Sequence, residues 1–144
     1  MLTKKESYNV AVVGATGIVG ESLLEILYSR RFPISSIHAV ASKKSKGSKA
    51  KFGDQLLTVE SLDEFNFTDI DIAFFSAGSS VSKEYATKAT TQGCIVIDNT
   101  SEFRYEQDIP LVVPEVNPQD IDLYKHKNII ANPNCSTIQM LVAL

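Results

Sequence analysis

The stretch YNVAVVGATGIVG, residues 8–20, decides the fold. Its first six residues are mostly apolar, as in a parallel strand that is buried on both faces. Gly14, Gly17 and Gly20 then follow at the spacing Gly-x-x-Gly-x-x-Gly, and residues 21–30 carry leucine and isoleucine at helical spacing. A strand, a glycine turn and a helix in this order predict dinucleotide binding, because backbone N–H groups can then approach a pyrophosphate at the helix N-terminus.

The rest of the sequence continues to alternate strands with helices. Strands are predicted over 37–41, 56–59, 70–75, 94–98, 111–113 and 128–131, and helices over 79–92, over 119–124 behind an Asn117 cap, and from Cys135 onward. Residues 43–53 are predicted to form a polar, basic loop. This pattern predicts an α/β fold, namely a Rossmann-like, doubly wound, mainly parallel sheet with helices on both faces, forming one domain over residues 1–144.

The overall composition excludes several classes of protein. Of the 144 residues, 44% are hydrophobic and 22% are charged, which is typical of a globular protein, and the net charge of -3 gives no indication of a nucleic-acid or membrane partner. No apolar run approaches the roughly 20 residues of a membrane-spanning helix. Cys94 and Cys135 are too few for a disulfide scaffold. We expect a cytoplasmic, reducing setting.

The end of the second predicted strand bears on the choice of cofactor. An NAD site usually places Asp or Glu there, about 20 residues after the glycine turn, to hold the ribose 2′-OH. Residues 41–46, ASKKSK, contain hydroxyl and ammonium groups but no carboxylate. These groups suit a 2′-phosphate and favour NADP, although a solvated basic loop would have the same composition.

Small residues follow another strand, in the stretch FSAGSS at 75–80. Ser76, Ala77 and Gly78 would let a cofactor lie close to the carboxyl end of that strand. Ser79 or Ser80 could instead be a simple helix N-cap.

Cys135 lies in NPNCST, residues 132–137, between a strand and a helix. A helix N-terminus favours a thiolate, so Cys135 is a candidate nucleophile for a carbonyl, whereas Cys94 is expected to be buried in its apolar strand. Arg104, in the loop NTSEFR at 99–104, could bind a phosphate or carboxylate with two hydrogen bonds, or could be an ordinary surface arginine. Neither His38 nor His126 is a convincing acid or base.

Five blocks of the sequence together resemble the aspartate-semialdehyde dehydrogenase family. They are residues 14–20, 42–47, 98–104, 110–117 and 132–137; they follow the family's order, and the last three together are highly specific. The resemblance implies the NADPH-dependent reductive dephosphorylation of aspartyl phosphate to aspartate semialdehyde, in amino-acid biosynthesis, through a thioester on Cys135. It also implies a full-length homo-oligomer whose second domain supplies a Gln, a further Arg and the catalytic His. We expect that domain to be absent from these 144 residues and the isolated chain to be inactive.

The resemblance also implies roles for individual residues. It places the pyrophosphate at residues 16–19, the 2′-phosphate at Lys44 and Ser45, and the substrate or its phosphate at Asn99 and Arg104. No metal is implied. The full set of predicted cofactor-binding residues is Gly14, Thr16, Gly17, Ile18, Val19, Gly20, Ser42, Lys44, Ser45, Ser76, Ala77 and Gly78. The predicted substrate-binding or phosphate-binding residues are Asn99, Arg104 and Asn134.

Two alternative functions remain, one enzymatic and one not. N-acetyl-γ-glutamyl-phosphate reductase is a sister enzyme with the same type of cofactor site and catalytic cysteine, but it usually has Gly where Asn134 stands. A non-catalytic NADP sensor would need no activated cysteine. Short-chain reductases require Tyr-x-x-x-Lys, and Tyr85-Ala86-Thr87-Lys88 is one residue too short.

Overall fold

The computed structural model describes residues 4–144, so the first three residues of the predicted domain lie outside the described part. The strands are β1 (Tyr8–Val13), β2 (Ile34–Ala41), β3 (Lys49–Phe52), β4 (Gln55–Thr58), β5 (Glu60–Ser61), β6 (Ile72–Phe75), β7 (Ile95–Asp98) and β8 (Ile129–Ala131). The helices are α1 (Ile18–Ser29), α2 (Ser79–Thr91) and α3 (Cys135–Ala143), and 3₁₀ turns cover Lys43–Ser45, Leu62–Glu64 and Pro118–His126.

Six strands form one parallel sheet in the order β5-β2-β1-β6-β7-β8. From β1 the chain proceeds outward to β2 and β5, and then returns to the other side of β1 to form β6, β7 and β8. The carboxyl ends of β1 and β6 therefore flank the point where the strand order reverses, which is where doubly wound folds bind ligands. The predicted doubly wound parallel sheet is confirmed.

Helices cover both faces of the sheet because the side chains of β1 alternate between two cores. Val10 and Val12 pack in the cluster that contains Leu24 of α1. Ala11 and Val13 belong to the other cluster, which contains Ala86 and Ala89 of α2. All four β1 side chains are fully buried, so β1 is fixed from both sides.

The region between β2 and β5 differs from the predicted loop. Residues 43–45 form a 3₁₀ turn, and β3 and β4 form a separate antiparallel hairpin. The hairpin packs on α1: the Phe52 and Tyr28 rings meet edge to face with their centroids 5.4 Å apart, and Ala50 is buried. Lys49 and Lys51 of β3 point to solvent and alternate with the packed residues Ala50 and Phe52, so this segment is a half-buried strand and the loop prediction for it is wrong.

The segment after Arg104 also differs from prediction. Residues 111–113 form only an isolated bridge, Leu111 with Ala131, instead of a strand. The predicted helix over 119–124 is a 3₁₀ helix, Pro118–His126. Asn117 makes no capping bond to it; its Oδ1 accepts from the N–H of Val113, and its Nδ2 donates to the carbonyl of Leu111. Two prolines, at 110 and 114, limit the N–H donors that a strand would need.

The turn between β1 and α1 is closely packed against itself. α1 begins at Ile18, three residues earlier than predicted, so Gly20 lies inside the helix. A Cβ atom on Gly20 would lie 2.1 Å from the carbonyl oxygen of Gly14 and 2.7 Å from the Cα of Ala15. Only glycine therefore lets α1 lie directly against the turn.

We predict that Gly20→Ala lowers the free energy of unfolding by about 1–3 kcal/mol, because the added methyl group must displace backbone atoms. Urea unfolding monitored by circular dichroism measures this change. The matched control is Gly17→Ala, since a Cβ there would meet the Gly14 oxygen at an ordinary 3.4 Å and φ is -91°. Equal losses of stability in the two variants would show that the close packing at Gly20 is not what the turn requires.

Candidate functional site

The glycine turn holds the carboxyl ends of three strands together. The N–H groups of Gly14 and Ala15 donate to the carbonyl of Val40 in β2, at 2.8 and 3.1 Å. Gly14 has φ +93°, and a Cβ on it would lie 2.9 Å from the hydroxyl oxygen of Ser76 and 3.0 Å from the Ser76 carbonyl carbon. Ser76 in turn donates to the Val13 carbonyl through both its N–H, at 2.9 Å, and its hydroxyl, at 3.1 Å.

The N-terminus of α1 opens at this turn without a side-chain cap. Its N-cap residue is Gly17, which makes no capping bond, and the N–H groups of the first helical turn have no intrahelical acceptors. Residues 16–19 are exposed, and the Ile18 side chain is 86% exposed. Free amides, the positive end of the helix dipole and a glycine backbone form a cradle that fits a pyrophosphate. The residues present therefore fit a dinucleotide.

A second helix begins beside this cradle. Gly78, with φ +101°, is the N-cap of α2, so Ser79 and Ser80 lie inside the helix and the N-cap interpretation of either serine is wrong. The Ser79 hydroxyl lies 3.0 Å from that of Ser101. This contact joins α2 to the loop that carries Asn99 and Arg104.

The basic loop after β2 lies beside an acidic residue, Glu64, that the sequence did not place there. Ser42, Lys43 and Lys44 are exposed at the carboxyl end of β2. Lys46 is paired with Glu64, whose Oε2 lies 2.5 Å from the lysine Nζ. No ion pair involves Lys44 within the described residues 4–144. Glu64 follows β5 in the chain, and only the pairing of β5 with β2 brings it to this loop.

Arg104 is fixed by two backbone carbonyls. Its Nε donates to the carbonyl of Asn132 at 3.0 Å, and its Nη2 donates to that of Asn99 at 3.2 Å. The Asn132 side chain also donates to Oδ1 of Asn99, at 2.6 Å. Arg104 therefore bridges the ends of β7 and β8 as a half-buried side chain, and the remaining N–H groups of its guanidinium are left for a ligand. Nothing in the sequence of residues 132–137 marked Asn132 for this role, which depends on contacts with the distant Asn99 and Arg104.

Asp98 is a fully buried carboxylate at the end of β7. It accepts hydrogen bonds from the hydroxyls of Ser82, at 2.6 Å, and Thr100, at 2.7 Å. These bonds satisfy both of its oxygens and fasten α2 to the start of the 99–104 loop. An acidic residue at the end of the apolar run 94–97 was the only sequence signal for this contact.

The two cysteines have opposite environments. Cys135 is exposed and is the first residue of α3, whose N-cap Asn134 accepts a hydrogen bond from the Ser136 N–H at 2.9 Å. Cys94 is fully buried, and burial, with a smaller contribution from the Asp71 charge, raises its pKa to about 12. The structure thus leaves Cys135 accessible and makes Cys94 inert.

Other features lie away from these residues. His38 contacts Glu60, with Nδ1 2.8 Å from Oε1, within the strand pair at the outer edge of the sheet. His126 precedes β8 and so lies towards the amino ends of the strands. A cleft of about 900 Å³ lies between α1 and the β3–β4 hairpin and shares only Ala15 and Thr16 with the glycine turn.

Residues 4–144 contain no cluster of three or more His, Cys, Asp or Glu side chains suited to a metal ion. None of the helices in this part of the chain has the length and apolar character needed to span a membrane.

Comparisons with known proteins agree with this geometry. The family model of the semialdehyde dehydrogenase NAD-binding domain matches residues 9–124. The aspartate-semialdehyde dehydrogenase of Legionella pneumophila is 58% identical over 94% of this chain and 39% of its own length. The structure of aspartate semialdehyde dehydrogenase II complexed with ASA from Vibrio cholerae is 52% identical, with a TM-score of 0.93 over 96% of this chain and 45% of that one. The Candida albicans aspartate semialdehyde dehydrogenase with NADP is 30% identical, with a TM-score of 0.78 over 94% of this chain and 45% of that one.

The chain spans about two fifths of the length of the curated relatives that it matches. The family model covers most of the chain, from the second residue of β1 to the 3₁₀ helix before β8. The chain therefore belongs to the semialdehyde dehydrogenase family, and it corresponds to the NAD(P)-binding domain of that family's members.

Proposed function

We propose that the chain is the NADP-binding, cysteine-bearing part of an aspartate-semialdehyde dehydrogenase that reduces aspartyl phosphate to aspartate semialdehyde and phosphate. One observation carries the proposal. The carboxyl edge of a single sheet holds an uncapped glycine cradle after β1, a fixed arginine after β7 and an exposed cysteine at a helix N-terminus after β8. This arrangement combines a cofactor site, an anion-binding group and a nucleophile, which the proposed reaction requires. The names of the similar proteins favour aspartate semialdehyde over the sister reductase.

The proposed chemistry begins at Cys135. Its thiolate attacks the acyl carbon of aspartyl phosphate, a carbon–sulfur bond forms, and inorganic phosphate leaves with the electron pair of the broken carbon–oxygen bond. Arg104 binds the phosphate through the N–H groups that its carbonyl contacts leave free. Asn99 is held by the Asn132 side chain and lies where it can orient the substrate, as can Asn134, the residue before the nucleophile. NADPH, when bound, would supply the hydride to the thioester carbon, and the carbon–sulfur bond would then break to release the aldehyde and restore the Cys135 thiolate.

We propose that the acid and base come from a second domain, in the length of the relatives that these 144 residues do not cover. His126 lies towards the opposite edge of the sheet from Cys135, and His38 is engaged with Glu60. The full-length protein is proposed to be a cytoplasmic homo-oligomer. The two free cysteines of these 144 residues are in keeping with a reducing compartment.

The proposed nucleophile is tested by comparing the two cysteines. Iodoacetamide near neutral pH is expected to label Cys135 at least about tenfold faster than Cys94, because only an accessible thiolate reacts quickly. In the full-length protein, Cys135→Ser should lower phosphate-dependent NADPH formation from aspartate semialdehyde by about a thousandfold or more.

Cys94→Ala is the matched control and should retain activity, since Cys94 lies inside the core cluster on the α2 face. Faster labelling of Cys94, or an active Cys135→Ser protein, would remove Cys135 from the mechanism.

The proposed cofactor is tested at Lys44 and Ser45. We expect the original protein to bind NADPH more tightly than NADH, because the loop offers ammonium and hydroxyl groups to the 2′-phosphate. Isothermal titration should show that Lys44→Asp combined with Ser45→Ala weakens NADPH binding by about tenfold or more while changing NADH binding little.

The charge reversal Lys127→Asp is the control, because Lys127 is exposed before β8, towards the amino edge of the sheet. Equal affinities for NADPH and NADH in the original protein would overturn the choice of NADP.

A further inference from the structure

The acidic residue Glu64 lies beside the loop proposed to bind the 2′-phosphate. It ends the 3₁₀ turn Leu62–Glu64 that directly follows β5. β5 pairs in parallel with the end of β2, Val40 opposite Glu60 and Ala41 opposite Ser61. Glu64 and the basic loop therefore follow the carboxyl ends of neighbouring strands.

Backbone hydrogen bonds join this loop to the segment that leads to Glu64. The N–H of Gly47 donates to the carbonyl of Val59, and the N–H of Val59 donates to that of Ser48, both at 2.9 Å. The Ser48 hydroxyl also donates to the Ser45 carbonyl at 2.7 Å. These bonds fasten the loop to the segment before β5, so the backbone brings Lys46 and Glu64 to face each other.

The three lysines of the loop are not equivalent. Lys46 Nζ lies 2.5 Å from Glu64 Oε2, and the two side chains are 51% and 59% exposed. The hydrogen bond from Lys46, then its charge, and to a lesser degree the charge of Lys43, hold the Glu64 pKa below its usual value. Glu64 is therefore ionised at neutral pH. Among Lys43, Lys44 and Lys46, only Lys46 forms an ion pair with it in the described residues, so Lys44 stays available to a ligand.

We propose that Glu64 is a specificity-determining residue, which weakens the preference for NADPH over NADH by holding Lys46 away from the 2′-phosphate. A carboxylate and a phosphate compete for the same ammonium group, and the bond to Glu64 must break before Lys46 can reach a ligand. NADH has no 2′-phosphate, so its binding does not depend on this competition. The inference rests on the proposed NADP site at Lys44 and Ser45.

The test is a double-mutant cycle on cofactor affinity, measured by isothermal titration with NADPH and NADH. Glu64→Gln keeps the size of the side chain and is expected to tighten NADPH binding about three- to tenfold while leaving NADH binding unchanged. Lys46→Met alone should weaken NADPH binding and leave NADH binding unchanged, because the ionised Glu64 carboxylate is then unpaired beside the 2′-phosphate. The gain should disappear when Glu64→Gln is combined with Lys46→Met, and it should shrink at high salt.

Asp122→Asn is the matched control. It removes the same charge from the exposed pair with Lys125, whose atoms lie 2.9 Å apart in the 3₁₀ helix before β8. Neither cofactor should bind differently to this variant.

Two results would overturn the inference. One is an unchanged NADPH-to-NADH affinity ratio in Glu64→Gln, which would make the pair an ordinary surface ion pair of little consequence. The other is a double variant, Glu64→Gln with Lys46→Met, that still binds NADPH more tightly than the original protein. If the original protein shows no preference for NADPH, the cofactor proposal fails along with the inference. A preference that Glu64→Gln does not alter overturns the inference alone.

Discussion

The site depends on how closely β1 and β6 approach each other at their carboxyl ends. Gly14 is pressed against the backbone of Ser76, and Gly20 is pressed against the carbonyl of Gly14. A side chain at either glycine would have to push a strand or a helix outward. Because neither glycine has a side chain, the N-terminus of α1 opens directly onto the point where the strand order of the sheet reverses. Its free amides lie in the same crevice as the loop after β6.

The same edge collects groups that bind anions. The uncapped N-terminus of α1, the lysines after β2 and the guanidinium of Arg104 all provide N–H donors or positive charge. The one fully buried acid there, Asp98, is bonded to two hydroxyls, and so holds α2 and the 99–104 loop in place without facing the crevice. Glu64 is the exception, since it is exposed and paired. This distribution suits ligands that carry phosphate.

The sequence was sufficient for features that arise from neighbouring residues. Strand β1, the glycine turn, α2 with its terminal Gly93, and the contrast between buried Cys94 and exposed Cys135 follow from local periodicity and turn chemistry. Features that depend on distant partners could not be predicted. The β3–β4 hairpin forms because Phe52 packs on Tyr28, and Glu64 meets Lys46 only through strand pairing. Asn117 follows the pattern of a helix cap, yet it bonds backward to the segment beside β8.

A crystal structure of the protein with NADPH would test most directly whether the close approach of β1 and β6 forms the cofactor site. We expect the pyrophosphate over the first turn of α1, within hydrogen-bonding distance of the N–H groups of residues 18–20, with the nicotinamide directed towards the carboxyl ends of β7 and β8. A pyrophosphate bound instead in the cleft between α1 and the β3–β4 hairpin would contradict this expectation, because the close approach of β1 and β6 would then have no part in binding the cofactor.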